Sequence, residues 1–396
     1  MRKLLVPVIL SALSLLGCKK DQGSGMVGPN AKGPIVIGEV GSMTGTEATF
    51  GTSSDRGIQL AISEINAAGG VAGRQLQVIA LDDEGKPEEA ATAATRLISS
   101  EHVTALLGEV ASTRSLFMAP KAQLAKVPMI SPSSTNPKVT QQGDYIFRAC
   151  FIDTFQGYVM AKFAHDNLKL TKVAILHDVR SDYSVGLADV FTKNFTKMGG
   201  TIVASEAFST GDVDFKAQLT NLKSAQPEAI FEPAYYSETG LIARQARELG
   251  ITVPLLGGDG WDSPKLIEGA GGPGAALEGS YFTNHSSMSD PKPTIQKFVS
   301  AYKTAYGGQQ PDSLAALGYD AVGVLVDAMK RTAAPANGDY ASPEYRAKLR
   351  DAIAATKNYQ GITGTITIGP DRNAVKPAVV LQVHGSEYKY ITTVNP

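Results

Sequence analysis

Apolar positions follow two periods that alternate along the chain. Pro34-Ile35-Val36-Ile37-Gly38 is a short β-branched run, and residues 76–81 form another; both predict strands. Between them Ile58, Ala61, Ile62 and Ile65 fall at i, i+3, i+4 and i+7, which predicts a helix over 54–67 stopped by Gly69-Gly70. An Ala-rich helix at 88–99, a strand at 103–107, a helix at 114–125 and short strands at 127–130 and 145–148 follow. This order predicts a mostly parallel, doubly wound α/β sheet.

The pattern then restarts. Asp153-Thr154-Phe155-Gln156 reads as a capping box opening a helix to about residue 167. Strands at 173–176, 201–205, 229–231 and 253–256 alternate with helices at 184–198, 215–224 and 238–249. This is a second α/β unit of similar size, with the same element order and no residue-level repeat. In the last third, residues 293–306, 314–331 and 342–356 read as helices, and 363–368, 378–383 and 388–392 as strands. Two readings stay open for this segment, a third domain or completion of the first two; its short length and few strands favour completion.

The start of the chain reads differently. Arg2 and Lys3 precede an apolar run over 4–16, too short to span a bilayer and of signal-peptide length. It ends in Leu15-Leu16-Gly17-Cys18, which resembles a lipobox. That resemblance implies a lipoprotein leader over 1–17 and lipidation of Cys18. Residues 18–34, rich in Lys, Gly, Pro and polar side chains, read as the lipid-anchored flexible tether. Two or more acyl chains on one Cys suffice for stable anchoring. The chain is therefore expected to be exported and to face the periplasm or cell exterior.

Composition is ordinary for a globular chain, but charge and chemistry narrow the function classes. Lys+Arg (37) nearly balances Asp+Glu (38), and without Arg2 and Lys3 the count is 35 against 38, near −3. No basic footprint for nucleic acid or anionic lipid is present. The two cysteines, Cys18 and Cys150, exclude a disulfide framework, and Cys150 reads as a small buried hydrophobe. Gly85-Lys86 is followed by Pro87, so there is no Walker A loop; G-x-S-x-G and H-E-x-x-H are absent too. The glycine-rich stretch 269–274 fits G-x-G-x-x-G in letters only, because it follows a helix end and contains Pro273. No catalytic, metal or cofactor chemistry is expected.

The chemistry that remains lies at strand ends. Segments 38–45, 108–113, 130–137, 177–186 and 257–261 each follow a predicted strand at its carboxyl end, where open α/β sheets bind ligands. In order and spacing, these segments resemble the leucine/isoleucine/valine-binding proteins, the substrate-binding subunits of branched-chain amino-acid ABC transporters, over about residues 35–390. The resemblance implies a type I periplasmic-binding-protein fold: two Rossmann-like lobes joined by a three-segment hinge. Lobe boundaries of 35–152 plus 285–376 and 153–284 plus 377–396 follow from it.

It also implies site residues. Ser112, with Ser133, Ser134 and Thr135, would meet a ligand carboxylate. Ser112 and Thr113 sit at a predicted helix start, where unpaired amides favour an anion; helix capping alone also accounts for them. Asp259 would meet the ammonium, and its flanking glycines would allow close approach; the family prototype carries Glu here. Phe50, Tyr183 and Tyr235 would form aromatic walls, with the Tyr235/Tyr236 register open by one. Trp261, the sole Trp, would meet the ligand side chain or the cleft rim. The implied function is capture of an amino acid, with leucine, isoleucine or valine first, by hinge closure, for delivery to ABC permease subunits. Another small carboxylate, an amide or a urea-like ligand, or a sensor partner, is the alternative.

Overall fold

The computed structural model describes residues 33–396. The leader, Cys18 and the tether up to residue 32 lie outside the described residues.

The first lobe begins β1 (Ile35–Gly41), α1 (Ala48–Ala67), β2 (Leu76–Asp82), α2 (Pro87–Ser99), β3 (Leu106–Leu107), α3 (Ser112–Leu124), β4 (Met129–Ser131), β5 (Ile146–Arg148). Its five strands are all parallel, in the order β2-β1-β3-β4-β5. β1 lies inside the sheet and is buried along its whole length, whereas β2 at the edge has only Leu76 buried. That contrast is what covering both faces of a parallel sheet imposes on its inner strands.

The second lobe follows as α4 (Asp153–Lys162), β6 (Lys172–Asp178), α5 (Asp182–Lys197), β7 (Thr201–Phe208), α6 (Lys216–Ser224), β8 (Ala229–Phe231), α7 (Tyr236–Glu248), β9 (Leu255–Gly257), α8 (Pro264–Gly269) and β10 (Tyr281–Asn284). The chain continues through α9 (Pro293–Ala305), α10 (Ser313–Arg331), α11 (Pro343–Ala354), β11 (Tyr359–Gly361), β12 (Gly364–Ile368) and β13 (Ala374–Val375), then β14 (Ala378–His384) and β15 (Glu387–Val394).

The last third is not a separate domain. Val322, Leu325, Leu349 and Ile353 of α10 and α11 share a core with Ile35 and Ile37 of β1. β14 then pairs antiparallel with β10, so the second sheet runs β15-β14-β10-β9-β8-β6-β7. The chain thus passes between the sheets three times: between β5 and α4, after β10, and between β13 and β14. β11, β12 and β13 form a small antiparallel sheet, of which only β12 carried a readable pattern.

α10 is both capped and charge-matched to its dipole. Asp312 Oδ1 caps it by accepting from Ala315 N at 2.9 Å, and Lys330 and Arg331 lie in its last turn, opposite the dipole. Leu317, Val324 and Leu325 are fully buried, each worth about 1.5–3 kcal/mol.

Four helices start two or more residues earlier than their periodicity predicts. α1 begins at 48 and not 54, α3 at 112 and not 114, α5 at 182 and not 184, and α7 at 236 and not 238. In each case the added first turn brings residues with no place in the apolar repeat. The capping box expected at α4 is absent: its N-cap is Ile152, which makes no side-chain cap bond.

Candidate functional site

Those early first turns converge. Phe50 lies in the first turn of α1, Ser112 opens α3, Tyr183 is second in α5, and Tyr235 is the N-cap of α7. Together with Val110, Ser133, Thr135, Asp259, Gly260 and Leu314 they line one narrow cavity between the two sheets. Seven of the nine ligand-binding residues read from the sequence therefore face a common space.

The aromatic side is a compact box. Tyr183 and Tyr235 stack with centroids 5.1 Å apart, and Phe50 meets Tyr235 edge-on at 5.2 Å. The neighbour Tyr236 points elsewhere: its hydroxyl accepts from Thr49 N at 3.3 Å and donates to Thr46 O at 2.9 Å. It joins α7 to the start of α1 across the cleft and settles the register in favour of Tyr235 as the lining residue. Thr49 Oγ1 and Ser263 Oγ, 2.8 Å apart, and Asn136 Nδ2 donating to Asp182 O at 2.7 Å add further links between the lobes.

The polar side is built on α3 and the loop after β4. The N-cap of α3 is Ala111, which offers no side-chain cap, so the helix-capping account of Ser112 does not hold. The first-turn amides have no intrahelical acceptor. Ser112 Oγ accepts from Asn136 N at 3.2 Å and keeps its own proton available. Ser133 Oγ is buried and has no hydrogen-bond partner among the described residues. Arg148 of β5, fully buried, shapes this loop from behind: it donates to Ser134 O, and its Nη2 donates to Asn136 O at 2.8 Å. These inward carbonyls are spent on the guanidinium, which leaves hydroxyls and amides for the cavity.

Two expected residues do not reach the cavity. Ser134 Oγ donates backward to Glu109 O and Val110 O, both at 2.9 Å, and lies 2.7 Å from Ser115 Oγ. It stitches the β4 loop onto the β3 loop. Trp261 is completely buried, its Nε1 donating to Glu232 O at 3.1 Å and its ring 6.0 Å from Phe282. The indole fills the second lobe instead of the cleft. The flanking glycines have the same cause: a Cβ on Gly257 would lie 2.1 Å from the Trp261 ring, and one on Gly258 2.3 Å from the Tyr183 hydroxyl. They clear space for neighbouring side chains.

Asp259 opens a short 3₁₀ turn, Asp259–Trp261. Its backbone N–H donates to Gln156 Oε1 at 2.8 Å, and its Oδ2 lies 2.9 Å from His285 Nε2. Oδ1 is buried with no partner among the described residues. Burial, then the nearby Asp259 charge, push the Asp153 carboxyl up to about 7. Arg148, Gln156 and His285 were not readable as site residues. Gln156 reads in the sequence as a capping residue, and His285 carries no motif. Cys150 is a free thiol in the β5–α4 crossing, pushed up to about 12 chiefly by burial, with Sγ donating to Ser134 O at 3.4 Å.

A larger groove of about 1230 Å³, open to solvent, lies among α8, the β14–β15 hairpin and the start of α10. Its two aspartates are already engaged: Asp262 accepts from Asn284 Nδ2 and Ser313 N, and Asp312 from Ser53 Oγ and Ala315 N. None of its lining side chains is among the buried polar atoms left without a partner. The smaller cavity, with its two orphaned oxygens, is the candidate site. Among the described residues no group of three or more His, Cys, Asp or Glu could hold a metal ion, and no helix is long and apolar enough to cross a membrane.

Comparison with known proteins agrees with this architecture. The sequence profile of the periplasmic binding protein family matches residues 34–387. An amino acid binding protein of Pseudomonas aeruginosa is 32% identical over 76% of this chain and 79% of its own length. The crystal structure of a leucine-binding protein from Thermotoga maritima superposes with a TM-score of 0.84 at 42% identity, covering 91% of this chain and 99% of that one. A branched-chain amino acid transporter substrate-binding protein from Streptococcus pneumoniae, solved with isoleucine, has a TM-score of 0.84 at 34% identity, covering 92% and 100%. The chain belongs to the periplasmic binding protein family, in the branch of the leucine/isoleucine/valine-binding proteins, and is an extracytoplasmic ligand binder, not an enzyme.

Proposed function

We propose that the protein captures a branched-chain amino acid in the cavity between its lobes and hands it to an ABC permease. The carboxylate is held by Ser112, Ser133, Thr135 and the first-turn amides of α3, where the helix dipole favours an anion. The ammonium is held by Asp259. The side chain lies among Phe50, Val110, Tyr183, Tyr235 and Leu314. The observation that carries this reading is the pair of orphaned atoms, Ser133 Oγ and Asp259 Oδ1, on residues that line one cavity. A buried polar atom without a partner is costly, and a zwitterion supplies both missing partners at once. A plain carboxylic acid would satisfy Ser133 and leave Asp259 bare.

The lobes, residues 35–152 with 285–376 and 153–284 with 377–396, close as rigid bodies about the three crossings. Cys18 carries the acyl anchor, and residues 19–34 tether the lobes to the membrane. A Cys18→Ser chain is expected in the soluble fraction of cells; its retention on membranes would remove the anchor from the account.

A thermal-shift screen of the amino acids tests the ligand. Leucine, isoleucine or valine at a hundred times its Kd should stabilise the protein by about 2.7 kcal/mol, and the shift should grow with the logarithm of concentration. No shift with any of the three would contradict the reading.

A further inference from the structure

Among the described residues Asp259 is the sole acid lining the cavity, yet few contacts hold its carboxylate. The backbone is fixed through Gln156. The side chain makes one hydrogen bond, between Oδ2 and His285 Nε2 at 2.9 Å. The His285 ring is in turn locked. Its side chain is fully buried and stacks on Phe151 with centroids 3.9 Å apart, and its backbone N–H donates to Asn284 Oδ1 at 2.8 Å. Nδ1 has no hydrogen-bond partner among the described residues.

Burial pushes the imidazole below its ordinary range, against the opposing pull of Asp259, and the nearby Lys376 pushes the same way as burial. Lys376 forms no ion pair with Asp259: its ammonium is bound to Thr363 Oγ1 and has Asp320 as its acidic neighbour. A neutral imidazole has one N–H. Facing a carboxylate, which only accepts, that N–H is on Nε2.

We infer that His285 is the positioning residue for ammonium recognition: its Nε2–H ties down Asp259 Oδ2 and leaves Oδ1 turned to the cavity. The inference rests on the ligand reading given above. A carboxylate on a short turn rotates freely unless one oxygen is held, and a site works only when such rotations are fixed beforehand. A neutral donor fixes the carboxylate without cancelling the charge that the ammonium needs. Lysine or arginine in the same place would neutralise it. His285 also sits just after β10, where the chain leaves the second sheet, so this hydrogen bond connects the ammonium end of the site to a hinge crossing.

The test compares leucine with 4-methylpentanoate, the same skeleton without its amino group, by calorimetry at pH 8. His285→Leu should weaken leucine binding by roughly tenfold or more, the scale of a lost hydrogen bond to a charged group, while changing 4-methylpentanoate by less than about threefold. His285→Gln, whose amide N–H stands close to the position of Nε2, should recover leucine binding to within about threefold of wild type. Equal losses for both ligands, or no loss in His285→Leu, overturn the inference. Nitrogen-15 NMR of the wild-type histidines needs no variant: His285 should be the Nε2-protonated tautomer at pH 8, and an Nδ1-protonated ring overturns it too. If wild type itself shows no preference for leucine over 4-methylpentanoate, the site reading has failed, and the role of His285 falls with it.

Discussion

Asp259→Ala is expected to weaken amino-acid binding by about 2–5 kcal/mol, or roughly thirtyfold to several thousandfold, because it leaves a buried ammonium without its counter-charge. Asp259 lines the cavity, its Oδ1 is buried without a hydrogen-bond partner, and among the described residues no other acid lines that cavity. The loss should therefore fall on ligands with an amino group. The ratio of leucine to 4-methylpentanoate affinity should collapse toward one. Asp259→Asn, which keeps the shape and drops the charge, separates this from misfolding: it should stay folded and still lose the preference. A variant that binds leucine as wild type does would remove Asp259 from the site.

Trp261→Ala should have the second large effect, and on a different quantity. The indole is fully buried, bonded to Glu232 O, and packed where Gly257 leaves it room. Removing it should cost about 3–5 kcal/mol of folding stability, the range for a large aromatic truncated in a core. Trp261→Phe should lose less stability and leave leucine affinity within about threefold, since the ring does not line the cavity. Chemical denaturation followed by circular dichroism reads the first effect, and calorimetry the second. Unchanged stability with an altered ligand preference would put Trp261 back on the cleft wall.

Trp261 also marks what the sequence could and could not disclose. The α/β alternation was legible because buried parallel strands and sheet-packed helices carry strong periodicity, as in β1 and α10. Most of the cavity lining was legible through strand-end loops such as 130–137. The side-chain direction of Trp261 and Ser134 was not, since neighbours on one loop turn to opposite sides and no period records it. Helix starts were missed for a related reason. Phe50 and Tyr183 sit on first turns that face the cavity, so they fall outside the apolar repeat. Arg148 and His285 act from behind the lining, on partners distant in sequence. His285 meets Asp259 across 26 residues, a separation that no local pattern encodes.

The most direct test of the central claim is a crystal structure with leucine bound. The account predicts the leucine carboxylate within hydrogen-bond reach of Ser112 at the start of α3 and Ser133 in the loop after β4, and the ammonium against Asp259 Oδ1. Leucine found instead in the larger groove between α8 and the β14–β15 hairpin, or bound between the lobes with its ammonium turned away from Asp259, would contradict it.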